Sequence, residues 1–597
     1  MSHHLEKLQV TLSTGILFPE KPLIRFTANQ NSCPECDAAR CVWKTHTREI
    51  ATLRIGHFIA YETQTYCPCC AGQPVFRAEE LQQLVPAGAR YGYDVIVSVG
   101  QAIFLHCRNA REIQQELHAK NIAISLREID YLGRRFIVYL ALAHEQSQEQ
   151  IKQFMGTQGG YILHLDGTCE GDSPHLMSTI DARSKIVLDN IKIPTENARQ
   201  LTPFLSGIQR AYGDPIALVH DMGAAILKAV AAVFPNVPDF ICHFHFLKDI
   251  GKDLLGHDYS TIRRHLRRNR IRGQLRNMAT AIKQAIEDHP DARQSLHHYL
   301  ESKQLDDPDT PLRPLVAVYL IISWVLEARS NSNGFGFPFD RPHVDFCLRL
   351  QEAYPNLKAI KQKMGADAAL LPLMPIRKTL ADKVLSSTVS RMLDAISVFD
   401  QLREVMRIAQ PDSREGLNDE GDADMITIKA RLTQFRHSQE IKNLAATTLA
   451  YRKMVKQIDK YWDKLFADPI QVSTNTGCIF VQPQRTNNIL EQFFRELKRN
   501  GRKRSGNHAL SKTLKTMLAQ TPLVKNLENP QYMEIILNGK ANLAERFAEI
   551  DIVQVRKAFA EAQKVTQKYP KRMAEVFKIP NLPQRLLEIP PKKSATS

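Results

Sequence analysis

No apolar run in this chain is long enough to cross a bilayer. The longest, Leu315–Leu326, spans twelve residues and holds Ser323 and Trp324, whereas a membrane helix needs about 20. The first residues, MSHHLEKLQV, lack the apolar segment of a secretory signal, so a cytoplasmic location is expected. Acid is also in short supply: 63 Asp and Glu face 79 Lys and Arg, leaving a net charge of +16 and a pI near 9.3. Such an imbalance favours polyanions, and nucleic acid is the commonest one inside a cell. A disulfide framework is missing too. Eleven cysteines in a long cytosolic chain point to metal or to isolated buried thiols.

What is present is ordinary in bulk, with 43% hydrophobic and 24% charged residues. The cysteines are not spread evenly, because six of the eleven fall between residues 33 and 70. Cys33-x-x-Cys36 and Cys67-x-x-Cys70 are two knuckles able to place four thiolates around one structural Zn²⁺. Between them, EIATLRIGHFIAYETQTY is β-branched and aromatic and reads as two strands, giving a zinc-ribbon layout. Cys69 is an alternative to Cys70 as fourth ligand. A module with so little core is expected to need the metal in order to fold.

Farther on, NAREIQQELHAKNIAISLREIDYLGRRFIVYLALAH carries two helical patterns split by a short turn. Ile113, Leu117 and Ile122 share an inner face, and Ser125 with Glu128 forms a capping box for the second helix. Two readings fit: a plain helical hairpin, or a helix-turn-helix presenting Arg127, Arg134 and Arg135 to DNA.

The stretch LHLDGTCEGDSPHL places Asp166 after the apolar run Tyr161–Leu165. Asp-Gly is a common turn pair, but a carboxylate at a strand end can equally be a metal ligand, with Asp172 as a competitor. A hairpin follows around Leu176–Ile180 and Lys185–Ile193, then a helix from an N-cap at Thr195 to Tyr212. A strand at Ile216–Val219 ends in Asp221, before a helix opened by Gly223, and PDFICHFHFLKDIGKDLL supplies one more strand and helix. The order β-β-β-α-β-α-β-α matches a ribonuclease H-like core apart from its last helix. Asp166 and Asp221, fifty-five positions apart, can converge on one sheet edge, where crowded carboxylates invite divalent cations. The third carboxylate is expected from Glu491, in a helix that starts at Thr486-Asn487-Asn488. That helix carries Ile489, Leu490, Phe493, Phe494 and Leu497 on one face, then Lys498 and a basic loop, Arg502-Lys503-Arg504.

Asp166, Asp221, Cys242-x-x-His245 and Thr-Asn-Asn-x-x-Glu at 486–491 together resemble the signature of DDE transposases. More narrowly, the chain resembles bacterial insertion-sequence transposases with a zinc-ribbon head, related to the Mutator-like (MULE) type of catalytic domain, over about residues 30–80 and 155–525. The resemblance implies that Asp166, Asp221 and Glu491 hold two Mg²⁺ (or Mn²⁺) ions per active site. It implies double-stranded DNA as partner, both inverted repeats and target, and an assembly of two or more copies. Cys242 and His245 are expected to be a buried structural pair, with a metal site as the alternative, and His243 is expected to point away from its strand neighbours. The rival reading is a DNA-binding protein with an inactive core; the presence of all three carboxylates argues against it.

The expected fold class is multidomain α/β: a mixed ribonuclease H-like sheet with a large helical insertion, preceded by a zinc ribbon and a helix-turn-helix. The expected divisions are 1–80 zinc ribbon, 81–150 helix-turn-helix, 155–257 first part of the core, 258–475 helical insertion, 476–530 last part of the core and 531–597 helical tail. The insertion fills most of the 270 residues between Asp221 and Glu491 and includes the loops DDPDTP and PDSREGLNDEGDAD, the second acidic and expected to be mobile. Within it, IRRHLRRNRIRGQLR has seven arginines and no acid from Arg263 to Arg276. Arg263, Arg267 and Arg270 are therefore candidates for phosphate contact. Trp324 is expected in the core, and the tail carries no assignable chemistry.

Overall fold

The computed structural model describes residues 20–303, 313–328, 334–410, 425–563 and 576–587. The N-terminal segment MSHHLEKLQV, the loops 306–311 and 411–424 and the Pro/Lys/Ser end lie outside the described residues. The chain is mixed α/β and divides into two compact units: Met1–Asp239, Pro469–Pro483 and Asn487–Ser597 form one, and Phe240–Asp468 with Gln484–Thr486 the other. Among the described residues no helix is long and apolar enough to cross a membrane.

The first unit opens with strands β1 (Leu23–Thr27), β2 (Cys41–Thr52), β3 (Gly56–Tyr66) and β4 (Val75–Phe76). β3 is central, with β1 parallel and β2 and β4 antiparallel to it. The two strands expected between the knuckles are thus β2 and β3. Phe26, Ile50, Phe58 and Ala60 make a small core with Leu81 and Val85. Leu81 comes from the helix Glu79–Leu84 and Val85 caps it, so this sheet's core extends beyond the expected boundary at residue 80.

The helices Ala110–Ala119 and Leu126–Gln146 form as the caps dictate, each with a complete capping box, Asn109/Glu112 and Ser125/Glu128. Ile113, Leu117 and Ile122 are buried between them. The second helix, however, is buried all round from Arg135 to Leu140, which marks a helix running through a core. Its partners come from the far end of the chain. The Phe547 ring stacks on Tyr139 at 5.1 Å and meets Phe136 edge-on at 5.8 Å. The helices Pro530–Leu537, Leu543–Ala548 and Ile552–Ala562 are therefore part of this core and not a tail.

The second sheet comprises β5 (Ile162–Thr168), β6 (His175–Asp181), β7 (Val187–Ile193), β8 (Ala217–His220) and β9 (Asp239–Ile241), in the order β7-β6-β5-β8-β9, and the division between the units falls within β9, after Asp239. β6 runs antiparallel to both of its neighbours, β5 and β7, and β8 runs parallel to β5. β5 is buried from Ile162 to Asp166 and β8 throughout, as their near-continuous apolar sequence requires of central strands. The β6–β7 turn is organised by Asp181, which accepts the N–H groups of Arg183 and Ser184. The following helix is Ala198–Tyr212, capped by Asn197 and not by Thr195, because the Asn197 carbonyl oxygen reaches the Gln200 N–H at 3.0 Å. A hairpin, β10 (Ile470–Thr474) with β11 (Gly477–Val481), also belongs to the first unit, although the sequence assigned its first strand to the insertion.

The second unit is helical, from His243–Arg268 to Trp462–Leu465. It begins at residue 240 and not at 258, because the long helix His243–Arg268 packs within it against Lys383–Met406. Gly251 makes the close approach possible: a Cβ there would run into Pro338 and Phe399. Trp324 is not in the core. It is 39% exposed, with the Arg349 guanidinium 4.9 Å from its ring.

Candidate functional site

The pair Asp166-Gly167 is not a turn. Both residues lie in the β5–β6 ladder, Asp166 opposite Ser178 and Gly167 opposite Met177. Gly167 is needed there because a side chain would collide with the Met177 sulfur. Asp166 is 4% exposed and takes the Gly167 N–H at 2.7 Å. On the neighbouring parallel strand the last ladder pair is Leu165 with His220. Asp166 follows within β5 and Asp221 follows just beyond the end of β8, so the register brings both to the same edge of the sheet.

The third carboxylate is brought up by a helix, Asn488–Ser505. Its N-cap, Asn487, is fully buried and makes no side-chain cap. Instead its Nδ2 donates to the Leu165 carbonyl at 3.0 Å, one residue before Asp166. His164, one strand residue earlier, is fully buried, and burial holds its imidazole down at about 3 and therefore neutral, against a partial offset from Asn487. Glu491 follows one turn later, its N–H bonded to the Asn487 carbonyl at 3.0 Å, and residues four apart share a helix face. Glu491 pairs with Arg495 at 3.3 Å. Among the described residues the three carboxylates are not a cluster whose ligand atoms all lie within 4.8 Å of one another. Asp172, the competitor for Asp166, points elsewhere: it is half exposed and paired with Lys515 at 2.7 Å.

A fourth carboxylate, Glu196, was not foreseen. It lies against Gly223, where a Cβ would come within 2.5 Å of its Oε1, and burial and then the charge of Asp221 raise its carboxyl. It sits in a connection between a strand and a helix, where no periodicity marks it.

Cys33, Cys36, Cys67 and Cys70 form a group whose sulfurs all lie within 4.8 Å. Cys36–Cys67 and Cys36–Cys70 are 3.5 Å apart and Cys33–Cys70 3.7 Å. These are far too long for disulfides and close to the edge, about 3.8 Å, of a tetrahedron with 2.3 Å Zn–S bonds. The group can hold a metal ion, and the fourth member is Cys70; Cys69 is exposed outside it. Burial acts against the Cys67 thiolate, but the N–H groups of Cys70 and Cys69 and the neighbouring thiols outweigh it and bring the thiol down to about 6, while the hydrogen bonds with Cys36 and Cys67 push the Cys70 thiol up.

The basic residues divide. Arg127 is exposed at the start of its helix, and Arg134 pairs with Asp130 at 3.2 Å. Arg135, expected to face outward, is 8% exposed and donates to the Tyr139 hydroxyl at 3.0 Å; it sits where the helix has entered the core, so it is unavailable to DNA. Lys498 pairs with Glu170 at 3.3 Å. Arg502-Lys503-Arg504 is the end of a helix and not a loop; Arg502 and Lys503 are exposed, and Arg504 is half-buried. In the helical unit the arginine stretch breaks at Arg270, whose φ is 49°, so it spans two helices. Arg263, Arg267 and Arg270 are exposed, while Arg272 turns inward to the Pro342 carbonyl and the Phe346 ring. Cys242 is buried and is the N-cap of His243–Arg268, with His245 half-buried one turn on. The motif therefore opens a helix and does not lie along a strand. His243 donates to the Leu465 carbonyl at 2.7 Å.

No protein-family model matches the chain, and no curated protein matches it.

Proposed function

We propose that the chain is a DNA transposase of the DDE type, cleaving at transposon ends and joining the freed 3′-hydroxyl to target DNA. The observation that carries this reading is the register that brings Asp166 and Asp221 to the same edge of the sheet, with Glu491 one turn beyond the Asn487 anchor on β5. The strand order β7-β6-β5-β8-β9, three antiparallel strands with the fourth parallel to the first, is that of a ribonuclease H-like core and supports the same reading. The insertion between the second and third carboxylates is helical.

Carboxylate oxygens, those of Asp166 almost fully buried, are donors that hard divalent cations such as Mg²⁺ or Mn²⁺ prefer. Asp166, Asp221 and Glu491 would hold them. Bound there, two such ions would lower the pKa of the attacking hydroxyl or water and offset charge on the leaving oxygen. The chain's own residues do the positioning: the β5 and β8 ladders fix the two aspartates, and Asn487 fixes the helix that brings Glu491. The four cysteines would hold one structural Zn²⁺ in a ribbon-like head. Duplex DNA is the proposed partner, met through exposed cations such as Arg127, Arg263, Arg267 and Arg270, in the cytoplasm and as a dimer or larger assembly.

Asp166→Asn, Asp221→Asn and Glu491→Gln should each abolish strand cleavage of the inverted repeat flanking the gene while leaving binding to it nearly intact. Losing a ligand should cost several kcal/mol of activation energy. Cleavage within about tenfold of the parent protein for any one variant would remove that residue from the site.

A further inference from the structure

The helix Asn488–Ser505 has a second end, and it borders a cavity of about 520 Å³ within the first unit. That volume lies in the range of small-molecule sites, about 300–1,000 Å³. The cavity is also lined by the end of the helix Tyr93–Phe104, by one face of Leu126–Gln146 and by Thr521–Glu528. Its apolar wall includes Phe104, Ile129, Ile137, Phe493 and Val524. Its polar wall is charged, and the charges do not balance.

Asp130, Glu496 and Glu528 are the carboxylates of the wall. Asp130 is taken by Arg134 at 3.2 Å, and Glu496 and Glu528 by Lys525 at 3.1 and 2.6 Å. Arg108 pairs outside the wall, with Glu116. Among the described residues Arg499, Lys503 and Arg504 have no carboxylate within ion-pair distance. All three line the cavity, Arg499 and Lys503 one turn apart on the same helix face and Arg504 beside Lys503. Arg504 is half-buried, its guanidinium 5.7 Å from the centre of the Phe104 ring, and burial lowers its pKa despite the charge of Asp130. A desolvated guanidinium over an aromatic ring is a stacking platform for a planar base, and cations beside it suit a phosphate. Asn500, Ser505 and Thr513 add hydrogen-bonding groups to the wall.

We propose that this cavity is a nucleotide site: the base against Phe104, Arg504 and the apolar wall, the phosphate on Arg499 and Lys503. The ligand is a free nucleoside monophosphate or one unpaired nucleotide of a DNA strand, which share this chemistry. The site is separate from the carboxylate edge and does not depend on the chain being a transposase.

Calorimetric titration of the full-length protein with deoxyadenosine monophosphate tests it. Saturable 1:1 binding is expected, with deoxyadenosine and inorganic phosphate each at least about tenfold weaker. Arg504→Ala should weaken the nucleotide by about tenfold or more, and Lys503→Ala, at an exposed position outside the core, should do so by weakening the phosphate contact. Displacement of the nucleotide by single-stranded but not blunt duplex DNA would identify a strand as the source; no displacement by either would identify the free nucleotide. Phosphate binding as tightly as the nucleotide, affinity unchanged in both variants, or no saturable binding would overturn the proposal.

Discussion

His144 lies fully inside the first unit, and its hydrogen bonds fix its protonation. Its Nε2 faces the Leu188 carbonyl at 2.9 Å, which can only accept, so Nε2 carries the proton. Nδ1, 2.9 Å from the Tyr532 hydroxyl, then accepts. Burial holds this neutral form and lowers the imidazole to about 4, against a partial offset from Leu188. In the unfolded chain the ring takes its proton near pH 6.5. As pH falls from about 6.5 to 4, only the unfolded state gains that proton, so stability falls with pH across this window and levels off below it. The loss should amount to about 3 kcal/mol from this residue. His144→Gln should be less stable at pH 7.5 yet show a flatter melting temperature between pH 7 and 4.5. An equally steep profile in the variant would place the acid sensitivity elsewhere. Nothing in the local sequence distinguishes this histidine, since both partners come from distant segments.

The elements most legible in the sequence were those specified by their own residues. The capping box at Ser125, the hairpin after Asp166 and the paired knuckles all formed as local chemistry predicts. Misreadings came where tertiary packing decides, as at Arg135, Trp324 and the broken arginine helix. The cysteine-bearing sheet shows both aspects. Its β2 strand is exposed from Cys41 to Thr47 near the knuckles but buried from Ile50 to Thr52 at the other end. There Ala51 donates to the Arg90 carbonyl at 2.9 Å and Ala123 donates to His57 at 2.9 Å. Metal removal should therefore not unfold the whole head, as its small size suggested, but only its cysteine end. The intact protein should carry one zinc ion by elemental analysis. Chelation should speed amide exchange around residues 33–47 and 63–70, leaving Ile50–Thr52 and Phe58 protected. A protein without zinc, or exchange unaltered by chelator, would be incompatible with a structural metal site.

At the scale of the whole molecule, one unit is assembled from three separate stretches of chain. Its main core joins Phe136 and Tyr139, strand residues Leu163 and Leu218, and Phe493, Tyr532 and Phe547 from the last fifth of the sequence. Between Asp239 and Pro469 the chain builds another unit. Such an excursion is inexpensive, because loop-closure entropy rises by only about 0.6 kcal/mol per doubling of length. The role of the C-terminal helices could not be read from sequence, because helical amphipathicity marks a buried face but not what it meets. The arrangement makes the first unit dependent on its last segment. A chain ending at Thr486 would leave Phe136, Tyr139 and Leu165 without their partners, each large apolar side chain forfeiting roughly 1.5–3 kcal/mol of burial. Several such losses exceed the usual margin of about 5–15 kcal/mol. Amide exchange in the truncated chain should lose protection at Phe136–Leu140 and Leu163–Leu165. The helix Lys383–Met406, buried in its own unit through Met392, Phe399 and Leu402, should keep it. Adding residues 487–597 as a separate fragment should restore protection at the first two sites. Retained protection there in the truncated chain alone would show that the C-terminal helices are dispensable to the core.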